Sequence, residues 1–462
     1  MKTVKFATFA AVQAVLLLWW AAFYPGLFSR DSVLYLSHTQ VGPWISDHSV
    51  LYDSLLAISF RLTGDLGLVT LLQTTATAAA ITFLAESLKA LGSPPRWTTG
   101  LAVALAFLPP LGAFSVTLWK DVPFSICAIV IAGVCARIAA DRQVTRWRLV
   151  SLALLFLGLG LFRANGFLVV IVAVLVLLVV LKEQRVRLAS LGAAAGAIPL
   201  LLNNLVLPHA GIAAPTKTYV YHTAFGDIAV AFAEHPDQFT DQDRALMASV
   251  APLERWTKGG TCATINPLIW RNDFSWQSAD AHAGQLLDLW RRLLVKEPGE
   301  VIDTRLCRGA IAWKITQDPD EIGGDTYRFS LRPDADTYVG PGKVPDFPGR
   351  QVYTLRPLSE PVHAVASSWL NAALTPWIDW LVWRGALWSY LSYLAVAVAA
   401  WAMRNRYVLG VAAIVAGQQL AILANISAQD FRYMASPIFI GFLLLPLLCS
   451  QARRAASSLR AS

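Results

Sequence analysis

Ten apolar runs nearly free of charge dominate this chain, and they limit what it can fold into. They lie roughly at 6–24, 66–88, 98–117, 122–138, 149–163, 167–181, 188–207, 383–403, 407–425 and 434–450. In lipid a backbone must satisfy its own hydrogen bonds, so such runs cross as helices of about 20 residues or as strands of a closed barrel. Strand-like alternation is absent, which argues against a barrel. Hydrophobic residues make up 56% of the chain and charged residues 15%, and mean hydropathy is +0.50. That balance fits an integral membrane protein better than a soluble one. Thr and Gln dilute the second run. A more amphipathic stretch at 51–62 is expected to lie on the outer surface without crossing.

Charge placement gives the expected orientation. The first run follows Lys2 and Lys5, as in a signal peptide, but it exceeds the usual apolar length of about 7–15 residues and lacks a small-residue cleavage site. It therefore reads as a retained helix with a cytoplasmic N-terminus. With ten spans, both termini fall inside. The inner segments then hold 16 of the 38 basic residues, opposed only by Glu86, Asp141 and Glu183, in line with the positive-inside rule. The rest of the chain carries a net charge of −5. The isoelectric point near 9.3 thus reflects orientation and gives no sign of nucleic-acid binding, which calls for a basic patch on a soluble face.

The expected organisation is a seven-helix module at 1–207, an outer domain at 208–375 and a three-helix module at 376–462. The middle segment is long enough for a domain. Within it, 241–256 and 282–297 have helical spacing, Pro298 ends the second, and the Asp-, Gly- and Pro-rich stretch 318–350 reads as loops. Cys127, Cys135 and Cys449 sit in spans as small apolar fillers. Cys262 and Cys307 are the two cysteines of the outer segment, where either a disulfide or two thiols fits. Neither CxxC nor zinc-type spacing occurs.

The polar residues worth weighing all fall at outer ends of runs. The first outer loop, 25–65, reads YPGLFSRDSVLYL and then WISDHSVLYDSLL. Asp31 there can serve as a general base at the membrane surface or be a solvated interfacial charge. Asp47 and His48 can be a base pair, part of a metal site or an ordinary turn, although two neighbours fall short of the three or four ligands a metal needs. The turn SVTLWKDVPF places Lys120 and Asp121 between two runs. Lys120 is either a snorkelling anchor beside an interfacial Trp119 or a cation for a lipid phosphate. In LFRANGF, Arg163 and Asn165 occupy another tight turn. A charge so near hydrocarbon usually faces a cavity or partner, and the guanidinium fork suits phosphate. The last outer turn, SAQDFRYMASP, offers Asp430, Arg432 and Tyr433, with the simple alternative that Asp430 and Arg432 pair together. Tyr219, Tyr221, His222 and Asp227 could roof the same cavity.

With those motifs in hand, the sequence resembles the GT-C superfamily of membrane glycosyltransferases, and more narrowly a bacterial family of multi-spanning proteins within or near it. The resemblance rests on PGLFSRDS with the following SDH, on LWKDVPF, on FRANG and on DFRYMASP, in that order. It covers roughly 20–205 and 400–445 and covers the outer domain poorly. It implies an α-helical polytopic fold in a bacterial inner membrane. It also implies transfer of a sugar from a polyprenyl-phosphate donor to an envelope glycan, lipid or protein acceptor on the non-cytoplasmic face. By that resemblance Asp31 is the catalytic acid/base and Asp47 a second acidic site. His48, Lys120, Asp121, Arg163, Asn165, Arg432 and Tyr433 would bind substrate or lipid phosphate. Asp31 is followed by Ser, and the loop has no DxD, so a divalent metal is left as an option with no ligand assigned. One base with direct displacement implies inversion. Two other functions fit less of the pattern. A lipid-linked glycan polymerase, ligase or flippase would also gather outer cations. A non-enzymatic scaffold would leave Asp31, Lys120 and Arg163 pointing to separate places.

Overall fold

The computed structural model describes residues 2–317 and 352–461, so the loops expected at 318–350 lie outside the described residues. Among the described residues the chain is α-helical, and three isolated bridges replace any strand. Among the described residues, six helices are long and apolar enough to cross a membrane: Gly67–Ala90, Asp121–Asp141, Lys182–His209, Trp377–Ala402, Arg406–Ala424 and Phe431–Leu448. A bent pair, Pro95–Phe107 with Pro109–Ser115, makes seven if counted as one span. The other expected runs form the shorter helices Phe6–Ala22, Arg146–Phe162 and Gly166–Val180. By length and composition alone, therefore, six or seven helices qualify, against ten expected.

The bend has a local cause. Leu108 precedes Pro109 and Pro110, and a residue before proline is pushed out of the helical region. Leu108 accordingly sits at φ −69°, ψ 134°, and the two halves diverge by 63°. The stretch 98–117, expected as one straight span, is thus bent in its middle. Its last turn frees carbonyls that must be paired. Gln73 does this, donating from Nε2 to Ser115 O at 3.2 Å and Thr117 O at 2.9 Å. Thr70 Oγ1 donates to Pro25 O at 2.5 Å. The Thr and Gln that dilute the second run therefore pin the loops above it.

The bend also lets 116–118 reach the first loop. Leu27 N donates to Val116 O at 3.0 Å, and Leu118 N to Leu27 O at 3.0 Å. Gly26 lies at this crossing, where a Cβ would come within 2.7 Å of Thr70 Cγ2 and 2.8 Å of Val116 O. At the opposite helix ends, Asn405 Nδ2 donates to Ala139 O at 2.7 Å and Arg142 to Met403 O at 3.0 Å. Those ends carry the basic residues counted as inner.

The segment after His209 builds a second helical core around Phe225, Met247, Trp256, Ile265 and Leu286. The stretch 241–256 differs from expectation: it breaks into Asp241–Val250 and Leu253–Gly259, because Ala251 is extended ahead of Pro252. The helix expected at 282–297 runs Ala283–Lys296 and stops ahead of Pro298, which also starts the next helix, Pro298–Arg308. Its missing N–H is no loss in a first turn. Cys262 and Cys307 are joined as a disulfide, with Cα atoms 5.7 Å apart.

Candidate functional site

The first loop opens with a helix, Arg30–Gln40, that the sequence analysis read as loop. Ser29 caps it, and a reciprocal Ser29–Ser32 capping box closes its first turn. The same two serines latch it to the LWKD turn. Trp119 Nε1 donates to Ser29 Oγ at 2.7 Å, and Ser32 Oγ donates to Leu118 O at 2.8 Å. Trp119 is fully buried. It is a brace under Asp31 and not the expected interfacial anchor, since its indole N–H has a protein partner there.

Four helix ends distant in sequence converge above this brace. Asp31 Oδ2 accepts from Arg432 at 2.6 Å. Arg432 also pairs with Asp430 at 2.9 Å and lies 3.9 Å from Asp121 Oδ2. Arg163 Nε reaches Asp121 Oδ1 at 3.2 Å. The simple Asp430–Arg432 pairing is thus present, but as one edge of a larger network. Aromatic faces carry the guanidinium groups. Arg432 lies 5.1 Å from the Trp119 and Tyr433 ring centres, and Arg163 lies 4.6 Å from Tyr433 and 5.2 Å from Phe124. Arg163 closes the C-terminal end of Arg146–Phe162, where the helix dipole favours a cation.

Lys120 turns inward, with Nζ 2.7 Å from His48 Nδ1 and the Tyr35 ring 5.9 Å away. That contact replaces snorkelling. A charged ammonium only donates, so His48 Nδ1 accepts and the imidazole is neutral. Burial and then Lys120 drive its pKa down to about 4. Asp47 stands on the far side of His48, with Oδ2 3.8 Å from Nε2. It belongs to a flanking group with His38, 3.9 Å away, which in turn lies 4.0 Å from Asp53. His38 and Asp53 were not singled out from the sequence. They lie on the successive helices Arg30–Gln40 and Val50–Thr63, and only the fold of the loop puts them together. Burial lifts Asp53 to about 6 in spite of His38 beside it.

Asn165 heads Gly166–Val180, and no described contact ties its side chain to the cluster. The four residues considered as a roof separate. Asp227 is buried in the outer domain on Arg305 and Arg308, so it has no part in the cavity. His222 bonds through Nδ1 to the Tyr219 carbonyl, and Tyr221 is exposed. Tyr219 alone of the four feels the cluster. Burial first, then the charges of Asp31 and Asp47, push its hydroxyl above the usual tyrosine range.

The electrostatics of Asp31 are a contest. Burial favours the neutral acid, but Arg432, His48 and Lys120 outweigh it and hold the carboxyl well below its ordinary value. Asp430 goes the other way, raised to about 6 by burial against the pull of Arg432. Three cations (Lys120, Arg163, Arg432) thus face three carboxyls (Asp31, Asp121, Asp430). Asp121 is 1% exposed, whereas the Asp31 side chain is 28% exposed. As for metals, among the described residues one His/Asp/Glu group has its ligand atoms mutually within 4.8 Å: Glu234, His235 and Glu300, on the outer domain. Asp47 and His48 are not part of such a group.

Comparison with protein-family models, with curated proteins and with solved structures finds no match for this chain.

Proposed function

We propose that this protein is a membrane glycosyltransferase that moves a sugar from a polyprenyl-phosphate donor to an acceptor on the extracytoplasmic face. One observation carries the proposal: a partly exposed carboxylate, Asp31, pairs with Arg432 in a cluster that also gathers Arg163 and Lys120 from separate helix ends. A scaffold has no need to gather these groups, and their convergence counts against that alternative. The orientation follows from the basic residues at the opposite helix ends. On this basis the cluster and the 208–375 domain face away from the cytoplasm of a bacterial cell.

The chemistry is a single displacement. The acceptor hydroxyl gives its proton to Asp31, and its oxygen bonds to the anomeric carbon. The bond from that carbon to the phosphate oxygen breaks, and the polyprenyl phosphate leaves with the electron pair. Attack from the face opposite the phosphate inverts the anomeric centre. Arg432, Arg163 and Lys120 take up the charge that grows on the leaving oxygen. Fixed charges of this kind act most strongly where water is excluded.

The ion pairs also suggest an order of events. With Arg432 bound to it, Asp31 is a weak base. A phosphate that draws Arg432 away returns Asp31 toward ordinary carboxylate basicity, so the base is armed when the donor is in place. Arg163 can shift from Asp121 to phosphate in the same way, and a planar guanidinium suits either partner.

The test is incubation of the purified protein with a panel of polyprenyl-phosphate sugars and candidate acceptors, following release of the free lipid phosphate. The expected result is release with one donor, dependent on acceptor and lost in Asp31→Asn. Equal release by Asp31→Asn and the unaltered protein would remove Asp31 as the base. Silence across the whole panel would remove the reaction.

A further inference from the structure

Beside the ionic cluster the outer domain carries three aromatic rings, and the cluster's own chemistry does not explain them. Tyr219, Trp270 and Trp276 lie 5.8–6.3 Å apart by ring centres, and each pair is inclined by 52–59°. The three rings pack tilted against one another, and Trp276 rests on the domain core, so Trp270 is the ring that stands outward. Trp270 is 46% exposed and sits outside the apolar core of its domain. The rings are held in place. Thr218 N donates to Asp280 Oδ1 at 2.8 Å and Lys217 N to Asp280 Oδ2 at 3.1 Å. Asp280 lies one turn beyond Trp276 on the same helix, Trp276–Ala281.

The ring cluster is tied to the first loop. Ala213 N donates to Trp44 O at 2.7 Å, and Ser46 N donates to Ala213 O at 2.8 Å. The strap that leads to Tyr219 thus starts one residue from Asp47. The charges of Asp31 and Arg432 act on the Tyr219 hydroxyl.

A pyranose ring has an apolar face of C–H groups and an edge of hydroxyls. Its C–H hydrogens carry slight positive charge, and aromatic faces are slightly negative. Fixed, partly exposed rings with polar neighbours suit such a ligand, and exposed Arg271 and Asn272 follow Trp270 directly. We infer that Tyr219, Trp270 and Trp276 form a carbohydrate-binding platform that seats a sugar ring of the acceptor with a hydroxyl toward Asp31. Its role in catalysis rests on the glycosyl-transfer proposal; its sugar chemistry rests on the rings alone.

The experiment uses the full chain in lipid nanodiscs and equilibrium dialysis against radiolabelled neutral tetrasaccharides of glucose, mannose and galactose. At least one should bind. Trp270→Ala should weaken that binding about tenfold or more, while Trp270→Phe keeps most of it, because the face and not the indole is required. Trp270 is exposed enough for either variant to fold, and an unchanged melting temperature confirms that. Absence of binding by every tetrasaccharide, or equal binding by Trp270→Ala, overturns the platform. So does a purely interfacial role, seen as loss in Trp270→Ala of tryptophan quenching by headgroup-labelled lipid with dialysis unchanged. Lipid-phosphate release is measured separately. Sugar binding without transfer sinks the reaction and leaves the platform; transfer indifferent to Trp270 does the reverse.

Discussion

Two carboxylates paired with arginine, Asp227 in the outer domain and Asp31 in the cluster, are built for different ends. In the outer domain, Asp227 Oδ1 accepts from Arg308 at 3.0 Å, while Oδ2 accepts from Arg305 at 2.8 Å and from Trp290 at 2.9 Å. Both oxygens are used, and Asp227 and Arg308 are sealed from solvent. Asp31, by contrast, makes its described contact through Oδ2 alone, keeps more than a quarter of its side chain open, and shares Arg432 with Asp430 and Asp121. A sealed and fully paired carboxylate can only hold a fold, since exchanging any partner strands a buried charge. An open carboxylate with a shared partner can trade that partner for a ligand.

The sharpest way to break the contrast is to remove the charge at each place. Asp31→Asn should lower transfer by roughly 10²–10⁴-fold, the scale of proton abstraction, with little change in melting temperature. Asp227→Asn should cost about 3–5 kcal/mol of stability, because it leaves the buried Arg308 and the partly buried Arg305 short of a counter-charge. Lipid-phosphate release and thermal unfolding in detergent read the two effects. If Asp31→Asn unfolds the protein while Asp227→Asn is stable and impaired in transfer, the roles are reversed. Arg432→Gln comes next. It removes one phosphate donor and should cost about 10²–10³-fold in turnover, with Arg432→Lys recovering part of the loss.

How much of this was legible beforehand follows the same divide. The outer helix ends stood out because Asp31, Lys120, Arg163 and Arg432 interrupt long apolar runs, and a charge beside hydrocarbon needs a reason. Partner choice was not legible. Nothing in the spacing says that Arg432 takes Asp31, 401 residues away, or that Lys120 takes His48. Nor does the sequence say that Asp227 is sealed and Asp31 open, because burial is a property of what packs over them. Gln73 and Thr70 read as dilution of a span, since their partners are loop carbonyls, of Ser115 and Thr117 beyond the break at Leu108 and of Pro25 in the first loop, that only the fold brings near. His38 and Asp53 were hidden because the amphipathic stretch 51–62 pointed to the second helix, Val50–Thr63, but nothing pointed to the first, Arg30–Gln40, or to their packing together.

A smaller effect concerns the join between the two regions. Cys307 lies on Pro298–Arg308, and Gln429 donates to its carbonyl at 3.2 Å. Ile265 N, three residues from Cys262, donates to Ser427 O at 2.9 Å. The disulfide therefore braces the turn that delivers Asp430 and Arg432. It closes a loop across a sequence separation of 45, worth about 4 kcal/mol in the chain-entropy account. The double variant Cys262→Ser, Cys307→Ser should melt lower by that order. It should also lose transfer, though less than Asp31→Asn, because the turn keeps its backbone contacts. An unchanged rate would mean that the outer domain does not help to set the position of Arg432.

The smallest effect is in pH, and it probes the neutral state of His48. Its pKa falls from 6.5 when unfolded to about 4 when folded. Between those values the unfolded chain binds the extra proton, so His48 makes the fold less stable as pH drops from about 6.5 to 4. The limit is about 3 kcal/mol for a shift of this size. Asp53 and Asp430, both raised to about 6, act in the opposite sense: their ionised forms are strained by burial, so acidification below 6 relieves them. The unaltered protein should show a shallow net trend as these cancel. His48→Gln keeps an acceptor for Lys120 but cannot take a proton. Matched to the unaltered protein at pH 7, it should become the more stable of the two as pH falls toward 4, measured as the difference in melting temperature. A difference that stays flat across that window would mean His48 is already charged or exposed, and Lys120 would then need another partner.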